Sequence, residues 1–288
     1  MQQYELVDFG RGRKLERFGP YVLDRPSPTV EGVPLACPDA WRVADARFER
    51  GEADQERWIS EEQVPATWVL NCGTFQLQLK LTPFGHVGVF PEQAENWQWL
   101  ERQIERARQS RGELSVLNLF AYTGGSTLAA AAAGARVVHV DSAKNTIGLA
   151  RSNAELSGLA DRPIRWIVED AATFVRREVR RGNRYDAVIL DPPSYGHGPK
   201  GEVWRIEEHL PDLLRGCAEL TGANPAFLLC TSHTPGIDAS ALLGLCTAAG
   251  FDAAGGVASD RHLTARDGRK LRAGVVARIA PSLSRRDE

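Results

Sequence analysis

The five residues Asp191-Pro-Pro-Ser-Tyr195 stand directly after an unbroken apolar run, Ala187-Val-Ile-Leu190. Two successive prolines remove two amide donors and stiffen the backbone. Carbonyl oxygens and the Asp191 carboxylate remain as acceptors, a set suited to a planar amine or to the edge of a base. Three other polar segments stand in the same relation to an apolar run. Asn118-Leu-Phe-Ala-Tyr-Thr-Gly-Gly-Ser126 closes the run that begins at Leu114. Gly124 and Gly125 permit close backbone approach there, and the amides of a helix start can face a ligand. Asp141 follows Val137-Val-His-Val140. A carboxylate in that place can accept hydrogen bonds from both hydroxyls of a ribose, or it can cap a helix. Asp170, in Glu169-Asp-Ala171, can hold the amino group of adenine or cap the helix that follows. His233 lies three residues beyond the apolar run Phe227-Leu-Leu-Cys230, where it could orient an acceptor or take its proton. Cys230, inside that run, reads as a buried structural thiol.

These groups work together only if the chain brings the ends of the runs to one edge. From residue 114 onward apolar runs alternate with helix-like segments. Strands are predicted over 114–119, 137–140, 164–168, 185–190 and 226–230. Helices are predicted over 126–133, 143–156, 171–181, 206–220 and 239–249. Such alternation means a parallel sheet with helices on both faces. Open sheets of this kind bind ligands at the carboxyl ends of their strands, where all four segments fall. Phe251–Ala258 and Ala273–Ile279 predict an antiparallel hairpin at the end of that sheet.

Upstream, the strict alternation Phe75-Gln-Leu-Gln-Leu-Lys-Leu81 predicts a strand. Pro83-Phe-Gly-His supplies a turn and Val87-Gly-Val-Phe90 a second strand, so residues 75–90 read as a hairpin. Pro91 opens a helix over Glu92–Arg108 with Trp97, Leu100 and Ile104 on one face, which places Trp97 and Trp99 in the core. The first 75 residues are short apolar runs broken by Gly and Pro, the texture of strands and loops. The expected organisation is therefore a β-rich amino-terminal domain over 1–75, a hairpin and connecting helix over 76–110, an α/β domain over 111–280 and a polar tail over 281–288.

Composition narrows the class. The 288 residues are 43% hydrophobic and 25% charged, with a mean hydropathy of −0.30, values that belong to a globular protein. Lys and Arg number 35 against 37 Asp and Glu, which excludes a generally polycationic nucleic-acid binder but not a local basic patch. The five cysteines are scattered without a CxxC pair or the spacing of a zinc site, so reduced thiols, no metal and a cytoplasmic setting are expected. The amino terminus lacks the basic and apolar regions of a secretory signal. The most apolar stretch, Leu128–Val140, is too short to span a bilayer.

The quoted motifs together resemble the class I S-adenosylmethionine-dependent methyltransferases. Within them the chain is similar to the large-subunit ribosomal RNA methyltransferases, including the cytosine carbon-5 type. The resemblance covers about residues 75–280 and rests on residues 118–125, Val140-Asp-Ser142 and Asp191–Tyr195. It also rests on Gly85-His-Val-Gly-Val-Phe-Pro-Glu-Gln-Ala-Glu-Asn96, a hairpin followed by an FLDQR-like signature. It implies a Rossmann-like sheet, S-adenosylmethionine as cofactor and RNA, ribosomal above all, as substrate. Residue by residue, Gln93 would be a cofactor-side glutamine, and Phe120, Tyr122, Thr123 and Gly124 would surround the methionine moiety. Asp141 would hold the ribose with Ser142 beside it, and Asp170 with Ala171 would face adenine. Asp191 and Pro192 would stand between cofactor and acceptor, with Tyr195 and His233 on the acceptor side. The carbon-5 branch carries a cysteine nucleophile after its fifth strand, and the equivalent place here holds His233.

Other readings remain beside this one: a methyltransferase for a protein side chain or small molecule, and a non-catalytic protein on a cofactor-binding fold. A nicotinamide-dependent oxidoreductase is disfavoured, because residues 118–126 lack the three-glycine spacing and Asp-Pro-Pro has no role there. Two basic clusters could serve RNA: Arg165, Arg176, Arg177, Arg180, Arg181 and Arg184, read mostly as a solvated helix face, and Arg261, Arg266, Arg269, Lys270 and Arg272, read as the nearer docking surface.

Overall fold

Strands buried on both faces read as near-continuous apolar runs, and the central strands of this chain do, with Asn118, His139, Thr231 and Ser232 as buried polar exceptions. The computed structural model describes residues 3–50, 56–60, 64–198 and 201–281. It divides into two compact units, Met1–Ala94 with His262–Arg272, and Glu95–Arg261 with Ala273–Glu288.

The first unit contains β1 (Tyr4–Gly10), β2 (Arg13–Phe18), β3 (Tyr21–Pro26), β4 (Ala46–Arg50) and β5 (Glu56–Ile59), which form one sheet in that order. A smaller pair, β6 (Trp68–Asn71) and β7 (Gln76–Leu79), is antiparallel. The β1–β2 turn places Arg11 and Gly12 at φ 51° and 73°, the left-handed pair of a tight hairpin. The interior is partly ionic. Glu16, fully buried, accepts from Arg25 and from the Tyr4 hydroxyl, the latter at 2.9 Å. Asp8, also fully buried, accepts from Trp41 at 2.9 Å and from Arg269.

The hairpin expected over 75–90 forms differently. β7 pairs with the preceding β6, and Val87–Phe90 is not a strand. Gly85 and Gly88 adopt φ 74° and 96°, and the backbone folds back through Lys80 N–Val87 O and Thr82 N–His86 O bonds instead of a ladder.

The second unit begins with α1 (Ala94–Arg111), which buries Trp97, Leu100 and Ile104 on one face. It continues through β8 (Ser115–Leu119), α2 (Gly125–Ala132), β9 (Arg136–Asp141), α3 (Lys144–Leu156), β10 (Ile164–Val168) and α4 (Ala171–Arg180). Then come β11 (Ala187–Leu190), the short strands β12 (Tyr195–His197) and β13 (Val203–Arg205), α5 (Ile206–Thr221), β14 (Phe227–Ser232) and α6 (Ala239–Ala248). The last two strands are β15 (Gly256–Thr264) and β16 (Lys270–Ile279). The sheet order is β10-β9-β8-β11-β14-β16-β15, parallel from β10 to β14 and antiparallel between β14 and β16. This is the Rossmann-like α/β arrangement expected.

Side chains of Leu210, Leu214, Phe174 and Leu242 cover one face of the sheet. Leu100, Ile104, Ala130 and Phe227 pack on the other. Each such buried side chain contributes about 1.5–3 kcal/mol. The chain leaves β8 toward β9 and β10 on one side and β11 toward β14 on the other, so the topological switch point falls between β8 and β11. The tip of the β15–β16 hairpin, His262–Arg272, belongs to the first unit. No helix among the described residues is long and apolar enough to cross a membrane.

Candidate cofactor cleft and acceptor side

The loop after β8 is the most contorted backbone in the second unit. Phe120 and Tyr122 both lie in the left-handed region, at φ 55° and 49°, and Gly124 follows at φ 95°. Left-handed non-glycine residues each cost about 1–3 kcal/mol and persist where their surroundings hold them. Here the holding groups are visible. Ala121 N donates to Val140 O at 3.1 Å, Tyr122 N to Asp141 Oδ2 at 2.8 Å, and Asn153 Nδ2 to Thr123 O at 2.9 Å. Beneath the loop, Asn118 donates to Thr127 at 2.8 Å, and Thr127 meets His139 Nδ1 at 2.9 Å. His139 is fully buried, and burial lowers its pKa to about 3, so it stays neutral.

The two glycines have different duties. Gly124 needs its positive φ, and a Cβ there would press on Ala150 at 3.2 Å. At Gly125 a Cβ would come within 2.7 Å of the Trp97 ring. The second glycine therefore lets α2 pack against α1.

A cleft opens beyond this loop, lined by Phe120, Val140, Asp141, Ser142, Glu169, Asp170, Ala171, Pro193, Gly196, Gly198 and Trp204. Asp141 accepts from the backbone of Tyr122 and, at 2.9 Å, of Ala143. Burial lifts its pKa above the usual carboxylate value, against the lowering effect of those backbone bonds. Asp170 caps α4, with Oδ1 accepting from Thr173 N at 2.8 Å. In each carboxylate acceptor capacity remains. Asp141, Asp170 and Glu169, the last paired with Arg177, share one cleft at a switch point with two aromatic rings, a lining that fits a nucleoside and with it the cofactor expected from the motifs. A wider hollow lies at the amino-terminal ends of the strands, between Arg136, Arg162, Arg165 and Arg184, the end where open sheets do not bind their ligands.

Of the expected cofactor residues, the cleft gathers Phe120, Asp141, Ser142, Asp170 and Ala171. Tyr122, Thr123 and Gly124 form the loop beside it. Gln93 is buried in the first unit, in the turn Pro91–Gln93.

On the acceptor side, Thr231 Oγ1 donates to Asp191 Oδ1, and His233 Nε2 stands 3.8 Å from the same oxygen. Ser194 and Thr234 share a 2.7 Å hydroxyl bond that ties the Asp-Pro-Pro loop to the loop after β14. Gly274 on β16 sits at φ 101°, and a Cβ there would meet His233 Nδ1 at 2.9 Å. Pro192 is buried and Tyr195 is 55% exposed. The Pro193 carbonyl does not point into the crevice as a free acceptor: it takes the Trp204 Nε1 proton at 2.7 Å. Trp204 lines the cleft.

Cys230 is fully buried. A hydrogen bond with Cys246 and burial push its thiol well above the usual value, which removes it as a nucleophile. No cluster of metal-ligating side chains occurs among the described residues.

In the second basic cluster two arginines are already paired within the chain. Arg269 bonds Asp8, Asp267 and the carbonyls of Phe9 and Pro34. Arg266 holds Glu5 through two 2.8 Å bonds, and Arg261 is buried. Arg266 and Arg269 thus brace the first unit, while Arg266, Lys270 and Arg272 are exposed. In the first cluster, Arg177 pairs with Glu169 at 2.6 Å and Arg181 with Glu178 at 3.5 Å. Lys200 lies outside the described residues.

Comparison with known proteins agrees with this geometry. A family model for S-adenosylmethionine-dependent methyltransferases matches residues 35–248. The crystal structure of a SAM-dependent methyltransferase from Agrobacterium tumefaciens superposes with a TM-score of 0.89 at 38% identity, covering 97% of this chain and 91% of that one. A Streptococcus mutans protein assigned as a SAM-dependent methyltransferase shares the fold, with a TM-score of 0.72 at 18% identity over 96% of this chain and 75% of its own. Among curated relatives, ribosomal RNA large subunit methyltransferase I of Aeromonas hydrophila is 35% identical over 113 residues, 38% of this chain and 27% of that protein. The protein of the same name from Salmonella arizonae is 33% identical over 150 residues, 52% of this chain and 36% of its own length. The match thus spans about a third of these curated relatives.

Proposed function

The chain belongs to the S-adenosylmethionine-dependent methyltransferase family, and we propose that it transfers a methyl group to a base of RNA, ribosomal RNA in particular. The observation that carries this reading is the convergence at one switch point of Asp141, Asp170 and the left-handed Phe120–Gly124 loop. Asp191-Pro-Pro stands at the end of the neighbouring strand. When bound, the cofactor supplies a methyl group activated on a sulfonium. The protein's work is to align an acceptor with it, and alignment is worth about 7–11 kcal/mol in such reactions.

In this reading Asp141 receives the ribose hydroxyls and Asp170 with Ala171 faces adenine. Ser142, Tyr122, Thr123 and Gly124 complete the cofactor side. Asp191, held by Thr231, accepts from the amine or base edge beside the methyl group, with Pro192 fixing the backbone. Tyr195, exposed after the prolines, offers a face on which a base can stack. His233 faces the Asp191 carboxylate and takes or orients a proton released there. The buried state of Cys230 supports a route without a covalent thiol intermediate. Such a substrate puts the protein's work in the cytoplasm.

Mass spectrometry of ribosomal and transfer RNA nucleosides from a deletion strain and its parent tests this directly. The expected result is one missing methylated nucleoside, restored by the wild-type chain and not by Asp191→Ala. An unchanged set of nucleosides overturns the RNA reading and turns the search to proteins and small molecules.

A further inference from the structure

The short strands β12 and β13 follow Asp191-Pro-Pro-Ser, and they pair with Tyr195 opposite Arg205 and Gly196 opposite Trp204. Alternation along a strand sends such cross-strand partners to the same face. Trp204 is 5% exposed whereas Tyr195 is 55% and Val203 45% exposed. One face of the ribbon is therefore Gly196 and Trp204, turned to the cleft, and the other carries Tyr195 and Val203, turned to solvent.

Trp204 is held in place from three sides. Its Nε1 donates to Pro193 O at 2.7 Å, its ring lies 5.0 Å from that of Phe120, and it stacks on His209 at 5.7 Å. Gly196 is the odd residue of the pair. Its backbone is not left-handed, and a Cβ there would meet only Pro193 Cγ, at an ordinary 3.6 Å. Gly198 differs, because a Cβ there would run into Glu202 at 2.5 Å. Neither conformation nor the protein's own packing asks for glycine at 196. Yet the residue lines the cleft together with Asp141, Asp170 and Phe120.

We propose that the inner face of the β12–β13 ribbon is the wall of the nucleoside subsite. Trp204 is its aromatic surface, and Gly196 is the position whose missing side chain leaves room for the adenine ring. The inference rests on the cofactor reading above and adds to it a specificity-determining pair outside the strand-end motifs. A side chain at 196 is tolerated by the fold and excluded by the ligand.

Calorimetric titration of the full chain tests it with two probes: S-adenosylhomocysteine, and 5′-methylthioadenosine, which keeps the nucleoside and lacks the amino acid. Wild type, Gly196→Ala and Gly196→Val are titrated alongside ligand-free thermal melts. The expected result is unchanged melting, with affinity lower by about 10-fold in Gly196→Ala and about 100-fold in Gly196→Val, equally for both probes. If Gly196→Val melts early, Gly196→Ala decides. Undiminished affinity in a folded variant overturns the wall while leaving the cofactor reading intact. Loss confined to S-adenosylhomocysteine also overturns it, by placing the glycine at the amino-acid end. Failure of the wild type to bind either probe overturns both readings.

Discussion

In the first unit, carboxylates taken out of water face guanidiniums: Glu16 meets Arg25 at 2.5 Å, Asp24 meets Arg13 at 2.5 Å, and Asp8 meets Arg269. In the cleft of the second unit, Asp141 and Asp170 accept from backbone N–H groups, and no ion pair reaches either among the described residues. Glu16 and Asp141 leave different electrostatic traces, while burial raises the pKa of Asp24 in spite of Arg13. Burial raises Glu16, but Arg25 and Lys14 outweigh it and the net pKa is lowered. At Asp141 burial outweighs the backbone bonds and the pKa is raised. A carboxylate that holds a fold is neutralised by the fold. One that awaits a ligand keeps acceptor capacity, and its burial works against stability until the ligand arrives.

Breaking the first kind of site has the largest expected effect. Arg25→Ala leaves Glu16 buried without its partner and should cost about 3–5 kcal/mol, read by urea denaturation. Affinity of the folded fraction for S-adenosylhomocysteine should not change. If it falls together with stability, the division of labour between the units fails.

Acid should separate the two regions next. The folded pKa of His139 is depressed from 6.5 to about 3, so its contribution is present above pH 6.5 and is lost as pH falls toward 3. The effect is on the order of a few kcal/mol. Glu16, with a folded pKa below 4.5, keeps its contribution above that value and loses it only as pH falls through the lower folded value. Region-resolved hydrogen exchange between pH 7 and 4 should therefore show β9 and α2 losing protection before β2 and β3. The reverse order would contradict the assignment of His139 as buried and neutral.

Asp141→Ala probes the cleft itself. Hydrogen bonds to a charged group are worth about 1.5–3 kcal/mol each, so removing the ribose acceptor should lower S-adenosylhomocysteine affinity by about two orders of magnitude in calorimetry. Stability should hold or rise at neutral pH. The folded pKa exceeds the unfolded one, so the ionised group opposes folding there, and that opposition fades as pH falls through the folded value. The smallest effect belongs to Tyr195→Ala, which should remove about 1–3 kcal/mol of base stacking, seen as a higher KM for RNA with cofactor affinity unchanged.

Much of the second unit was legible in the sequence because its physics is local. Val116–Leu119, Ala187–Leu190 and Phe227–Cys230 are buried on both faces and so read as largely apolar runs, and Asp141 and Asp170, at or just beyond the ends of β9 and β10, mark the cleft. The first unit was less legible. Glu16 and Asp24 sit inside strands, and their arginine partners Arg25 and Arg13 become visible only through pairing across the sheet. The pairing of Arg269 escaped the sequence for the same reason: its partner Asp8 is remote in sequence. The place of Trp204 in the cleft was not legible either, because it follows from the pairing of Gly196 with Trp204. Gly125 showed its packing duty only once Trp97 was seen against it.

The Arg269–Asp8 contact joins residues 261 positions apart. A ribosome adding about 5–20 residues per second needs roughly 13–50 s to make the second partner after the first. Throughout that interval Asp8 lacks its guanidinium, and the amino-terminal sheet cannot reach its final state. The sheet around Asp8 is thus completed only after nearly all of these residues have been made.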